Sequence, residues 1–170
     1  MTVSGDDGAM NGYRVPDPEK HRLARAWCGA CYEVLAGDGV FPLRVGEPAQ
    51  ALERRLPAPS YLWITAWNPP LARRTEEQNR QADLRLQARL QDAGRIHVPA
   101  RASDGDGGWI EPGWLVLDMA PGEADALARA FLQGGILHWR QGQPVRLRLM
   151  WPAPASDTEH SGLAAVDWAG

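Results

Sequence analysis

Residues 60–70 read SYLWITAWNPP, and this stretch constrains the fold more than any other. Its first eight residues are aromatic, aliphatic, β-branched or small, with no charge among them. Such a run fits a strand buried on both faces, so 60–67 is expected to lie centrally in a sheet. Pro69 and Pro70 cannot donate to a ladder, so the strand must stop near Trp67. A central strand needs neighbours on both sides and a covering layer on each face.

The rest of the chain supplies them. Thr75 with Gln78 three residues on is a capping-box spacing, and the pattern predicts a helix running to Ala93 and closed by Gly94. Asn79, Ala82, Leu86, Leu90 and Ala93 share one face of that helix. RIHVPA and WIEPGWLVLDM read as strands, the second kinked at Pro112-Gly113. Pro121 opens a further helix with a stripe of Ala124, Leu127, Ala128 and Phe131, stopped by Gly134-Gly135. CYEVLA and VFPLRV form a hairpin around Gly37-Asp38-Gly39, and ILHWR and VRLRLM form another around Gln141-Gly142-Gln143. PEKHRLARAWCGAC is a helix entered at Pro18, with Leu23, Ala26 and Trp27 inward. EPAQALERRL is a short helix.

Together these predict an α/β or α+β single domain, with a mixed sheet of about 5–7 strands and about 3–4 helices packed on it. The connection from 60–67 through 75–93 to 95–99 is long enough for a right-handed crossover. The domain is expected to span 18–152, between an arm at 1–17 and a tail at 153–170. A length of 170 residues suits one domain.

Charge and motifs exclude several classes. The formal charge is −3, and no Lys/Arg run is interleaved with aromatics, so no nucleic-acid footprint is expected. No apolar stretch of about 18 residues predicts a membrane span. The N-terminus lacks the basic and apolar segments of a signal peptide, so a cytoplasmic location is expected. No phosphate-binding, dinucleotide, nucleophile-elbow or zinc-protease motif occurs, so no cofactor or metal is expected. Cys28 and Cys31 have redox spacing, yet a helical pattern precedes them and a strand follows. That order puts them at the negative end of a helix, which opposes a low thiol pKa, so they read as ordinary half-buried cysteines.

The polar residues around the apolar elements are the candidates for chemistry. Asn68 lies at the C-terminal end of the central strand, where ligands collect in open sheets. Asn79 sits on a buried stripe and needs partners. The two amides are expected to converge, either to serve a ligand or to pin the NPPLARR loop. Glu111 lies between Trp109 and Trp114; unpaired there, it would have a raised pKa and could act as acid or base, and otherwise it would pair with an arginine or simply lie exposed. Gln133 ends a helix and either reaches the same cleft or binds backbone. His97 and His138 lack metal-site spacing.

In order and spacing, ITAWNPP, Asn79, Trp109-Ile110-Glu111-Pro112 and FLQGGIL resemble a bacterial family of uncharacterised proteins, domain of unknown function 3293. The resemblance covers about residues 22 to 150. Gly113 stands where that pattern has Ser, and Gly134-Gly135 where it has Asn-Ala. The resemblance implies no reaction. The expectation is a domain binding a polar small molecule, nucleobase-like in its hydrogen-bonding edges, through Asn68, Asn79, Trp109 and Gln133 with Glu111 as acid or base. The alternative is an interaction module in which these residues only hold loops.

Overall fold

The computed structural model describes residues 14–70, 72–155 and 163–170. The elements are α1 (Asp17–Gly29), β1 (Cys31–Ala36), β2 (Gly39–Leu43), α2 (Gln50–Arg55), β3 (Ser60–Ile64), α3 (Glu76–Asp92), β4 (His97–Ser103), β5 (Ile110–Leu117), α4 (Pro121–Ala130), β6 (Gly135–Arg140), β7 (Arg146–Leu149) and β8 (Val166–Trp168). β3 is central, as its sequence requires. It pairs antiparallel with β5 on one side and β6 on the other, and Tyr61 to Ile64 are all buried.

One sheet of eight strands runs β2-β1-β4-β5-β3-β6-β7-β8. Within it, β3-α3-β4-β5-α4-β6 lie in the order β4-β5-β3-β6, the split βαβ arrangement of ferredoxin-like folds. β3 and β4 therefore run parallel, with β5 inserted between them. The hairpin β1-β2 widens the sheet beside β4, and β7 and β8 widen it beside β6.

Alternation along β3 divides the core in two. Leu62 and Ile64 face Ala82, Leu86 and Leu90 of α3 and Ala124, Leu127 and Ala128 of α4. Tyr61 and Trp63 face the other layer, which holds Ala24 of α1 and Leu52 of α2.

Several expectations need correction. The sheet has eight strands, one more than the upper expectation. The extra strand is β8, three residues that pair parallel with β7; three residues are too few for periodicity to register. The segment 163–170 is thus part of the sheet, with Leu163 and Val166 buried, and not a tail. Val15 is also buried, ahead of the expected start at 18. Most of the expected N-terminal arm, residues 1–13, lies outside the described residues. In α1 the buried residues are Lys20, His21 and Ala24, whereas Ala26 is exposed and Leu23 and Trp27 are half-buried. Ala93 is exposed beyond the end of α3. α4 stops before its glycines: Gln133 N–H donates to the Ala128 carbonyl and Leu132 N–H to that of Arg129, with Leu132 at φ 59°. This is a Schellman closure with leucine where glycine is usual.

The α3 cap forms as read. The Thr75 hydroxyl accepts from Gln78 N–H at 3.2 Å, and the Gln78 side chain accepts from Thr75 N–H at 2.9 Å. Thr75→Ala is expected to lower unfolding free energy by about 1 kcal/mol with an unchanged urea m-value. Equilibrium urea unfolding checks this.

Candidate functional site

The ladder of β3 ends at Ile64, three residues earlier than the sequence suggests, because side chains take over from strands. The Thr65 hydroxyl donates to the Pro112 carbonyl at 2.7 Å and accepts from Trp67 N–H at 3.0 Å. Arg74 donates to the Ala66 carbonyl at 3.1 Å, and Gln133 Nε2 to the Trp67 carbonyl at 3.1 Å. Backbone groups released from a buried ladder need such partners.

Asn68 then turns the chain at φ 40°, a left-handed conformation that asparagine tolerates better than most residues. Asn79 holds it there. Asn68 N–H donates to Asn79 Oδ1 at 2.9 Å, and Asn79 Nδ2 donates to Asn68 Oδ1 at 2.8 Å. The remaining end of the Asn68 amide, Nδ2, donates to Glu111 Oε1 at 3.0 Å. Asn79, Asn68 and Glu111 thus form one hydrogen-bonded chain, from α3 across the end of β3 to β5.

Glu111 has no arginine partner among the described residues, and its Oε2 accepts no hydrogen bond there. Burial pushes its carboxyl above the usual 4.5, and the Asn68 bond offsets part of that rise. On β5, Glu111 shares a face with Gly113 and Leu115, which looks toward α1.

On that face lies a cavity of about 140 Å³. Trp27, Tyr32, Trp63 and Trp109 form its aromatic walls, and Asn68, Glu111, Thr65 and Gln133 line it with polar groups. No basic side chain lines it. Tyr32 packs edge-on to Trp63 at 4.9 Å, and its hydroxyl donates to the Trp27 carbonyl at 2.8 Å. Burial, with Cys28 and Glu111 nearby, pushes the Tyr32 pKa up, so it stays a phenol. The indole N–H of Trp63 is buried without an acceptor. A buried unpaired donor costs about 1–3 kcal/mol.

Of the residues singled out from sequence, Asn68, Trp109, Glu111 and Gln133 line this cavity. Asn79 does not: it is 3% exposed, and Asn68 occupies both its amide oxygen and its nitrogen. Gln133 does both things expected of it, binding backbone and lining the cleft. Trp27, Tyr32 and Thr65 were not singled out for the site; Trp27 stands inside WCGAC, where the cysteines draw the attention.

Three glycines are explained by indoles. A Cβ on Gly113 would lie 2.8 Å from the Ile64 carbonyl and 3.0 Å from Trp63. On Gly134 it would lie 2.6 Å from Trp151, and on Gly135 2.9 Å from Trp27. Trp27 and Trp151 are stacked at 5.9 Å. In this chain each of the three glycines backs an indole.

The remaining candidates are placed elsewhere. Cys28 and Cys31 are free thiols, half-buried, and burial raises the Cys28 pKa. His138 Nε2 lies 2.8 Å from the Met119 carbonyl and His97 Nδ1 2.8 Å from that of Arg95. Among the described residues no three His, Cys, Asp or Glu side chains group as a metal site. No helix among them is long and apolar enough to cross a membrane.

The family model described as protein of unknown function DUF3293 matches residues 64–136. Over these residues the chain is similar to that family. The DUF3293 segment is narrower than the 22–150 expected from motifs, but it holds Asn68, Asn79, Trp109, Glu111 and Gln133. Trp27 and Tyr32 lie outside it. Comparison with curated proteins and with solved structures gave no match.

Two outcomes are expected. Because the folded state binds the Glu111 proton more tightly than the unfolded chain, stability falls as pH rises from 4.5 through the higher folded value. Glu111→Gln removes that ionisation and keeps an acceptor for Asn68. Thermal unfolding at about pH 7 should find it at least as stable as the parent, with the difference fading below 4.5. Gly134→Ala should instead cost about 1–3 kcal/mol through overpacking against Trp151, measurable in the same assay.

Proposed function

We propose that the domain binds a small organic molecule, neutral or cationic at its ring, with the ring between the aromatic walls and a hydrogen-bond donor on Glu111. The observation that carries this reading is the unshared Glu111 Oε2 at an aromatic cavity lined by no basic group. A carboxylate so placed favours a donor or a cation and repels a negatively charged ring. Asn68 fixes the carboxylate's orientation, and Asn79 positions Asn68. Its raised proton affinity suits Glu111 to exchange a proton with a bound ligand, the form an enzymatic version of this site would take.

Trp27, Trp63 and Trp109 make intrinsic fluorescence a direct readout. A panel of cytosine and nicotinamide against benzoate is expected to give saturable quenching with the neutral rings and none with benzoate. Glu111→Gln should weaken the binding by about tenfold, since a charge-assisted bond becomes a neutral one. Absence of quenching by any ring, or preference for benzoate, would contradict this reading and favour a role for these residues in holding loops alone.

A further inference from the structure

Asn68 and Pro70 border two recesses. A second recess, of about 360 Å³, is lined by Asn68, Pro69, Pro70, Arg73 and Arg74, and it shares Asn68 and Pro70 with the first. Arg73 is exposed and makes no hydrogen bond or ion pair among the described residues. Arg74 spends one nitrogen on the Ala66 carbonyl and meets no carboxylate there. Arg85 of α3 also lacks an acidic partner and lies close enough to depress the Arg74 pKa, though burial depresses it more. Several other arginines are paired: Arg80 with Glu76 and Glu77, Arg95 with Glu123, Arg146 with Asp167 and Arg148 with Asp125. In a chain of net charge −3, an uncompensated positive recess adjoins a cavity whose only charge is negative.

The size of the aromatic cavity narrows the ring. Cavities of about 150 Å³ hold one benzene-sized ring, and this one is about 140 Å³. An amino group on such a ring matches Glu111, as carboxylates accept from the cytosine N4 amino group. Guanidinium groups match phosphate oxygens in number and geometry. We infer that Arg73 and Arg74 form an anion subsite, and that the ligand is an amino-pyrimidine nucleoside monophosphate with its ring at Glu111 and its phosphate at the arginines. This rests on the reading of the aromatic cavity as a ring site.

The test titrates the full chain with cytidine, cytidine 5′-monophosphate and inorganic phosphate at low ionic strength, followed by tryptophan fluorescence and calorimetry. The parent should bind the monophosphate about tenfold more tightly than cytidine. Inorganic phosphate should compete with the monophosphate and not with cytidine. Arg73→Glu should abolish the advantage and leave cytidine binding unchanged. Arg140→Glu makes the same charge change at the opposite end of β3, where Arg140 pairs in register with Ser60, and should keep the advantage. Unfolding temperatures of both variants confirm that they fold. Equal affinity for cytidine and its monophosphate overturns the subsite while leaving the ring site standing. So does an equal loss in Arg140→Glu, which would make the effect one of overall charge. Binding of other rings without either cytidine compound overturns the pyrimidine assignment. If no ring binds at all, the ring site fails and the subsite with it.

Discussion

The reciprocal amide pair between Asn68 and Asn79 fixes where the central strand stops and what lies beyond it. Both bonds are of ordinary length, and they join two segments that would otherwise have no reason to keep a common geometry. A left-handed residue at the end of a buried strand is held only if its surroundings over-determine it. Here Thr65, Arg74 and Gln133 each satisfy a backbone group in the same four-residue stretch, so Asn68 is clamped from before and beside as well as from α3. The amide nitrogen left over is the one that reaches Glu111. Remove Asn79, and the carboxylate loses its orientation without losing its own contact.

This clamp sits where the two cores meet. The α3–α4 face of the sheet is aliphatic, with Leu62, Ile64, Leu86 and Leu90 close-packed. The α1–α2 face is built from large rings, Tyr32, Tyr61, Trp63 and Trp139 among them. Rings fill space less evenly than branched aliphatic chains, and the glycines at 113, 134 and 135 let indoles approach the sheet closely. The cavity opens on that aromatic face, next to the one carboxylate the clamp holds out. A ring-walled cavity and an uncommitted polar atom therefore arise from the same choice of residues.

Much of this was legible in the sequence, and the reasons differ by element. The α3 helix announced itself through Thr75, Gln78 and Gly94, whose roles are local and need no tertiary context. β3 was legible because a run without charge leaves few alternatives to burial. Its last three residues were not, since Thr65 leaves the ladder through a side-chain bond to Pro112, far away in sequence. β8 escaped because Val166 to Trp168 is too short to show a period. The convergence of Asn68, Asn79 and Glu111 was legible from position along the elements. The division of labour among them was not: Asn79 is consumed by Asn68, and only the geometry shows it. Trp27 and Tyr32 come from the β1 side of the fold, and nothing in their local sequence points to residues 80 positions away.

The central claim is that Glu111 is an unpaired carboxylate, partly desolvated and held by Asn68. The most direct measurement is a carbon-detected NMR titration of the Glu111 carboxyl, assigned with Glu111→Gln and repeated in Asn68→Ala. The account expects a midpoint above 4.5 in the parent, and a higher one in Asn68→Ala, where the bond that favours the ionised form is lost. A parent midpoint at or below 4.5, unmoved by the Asn68 substitution, would mean that Glu111 is solvated or ion-paired, and would contradict the site described.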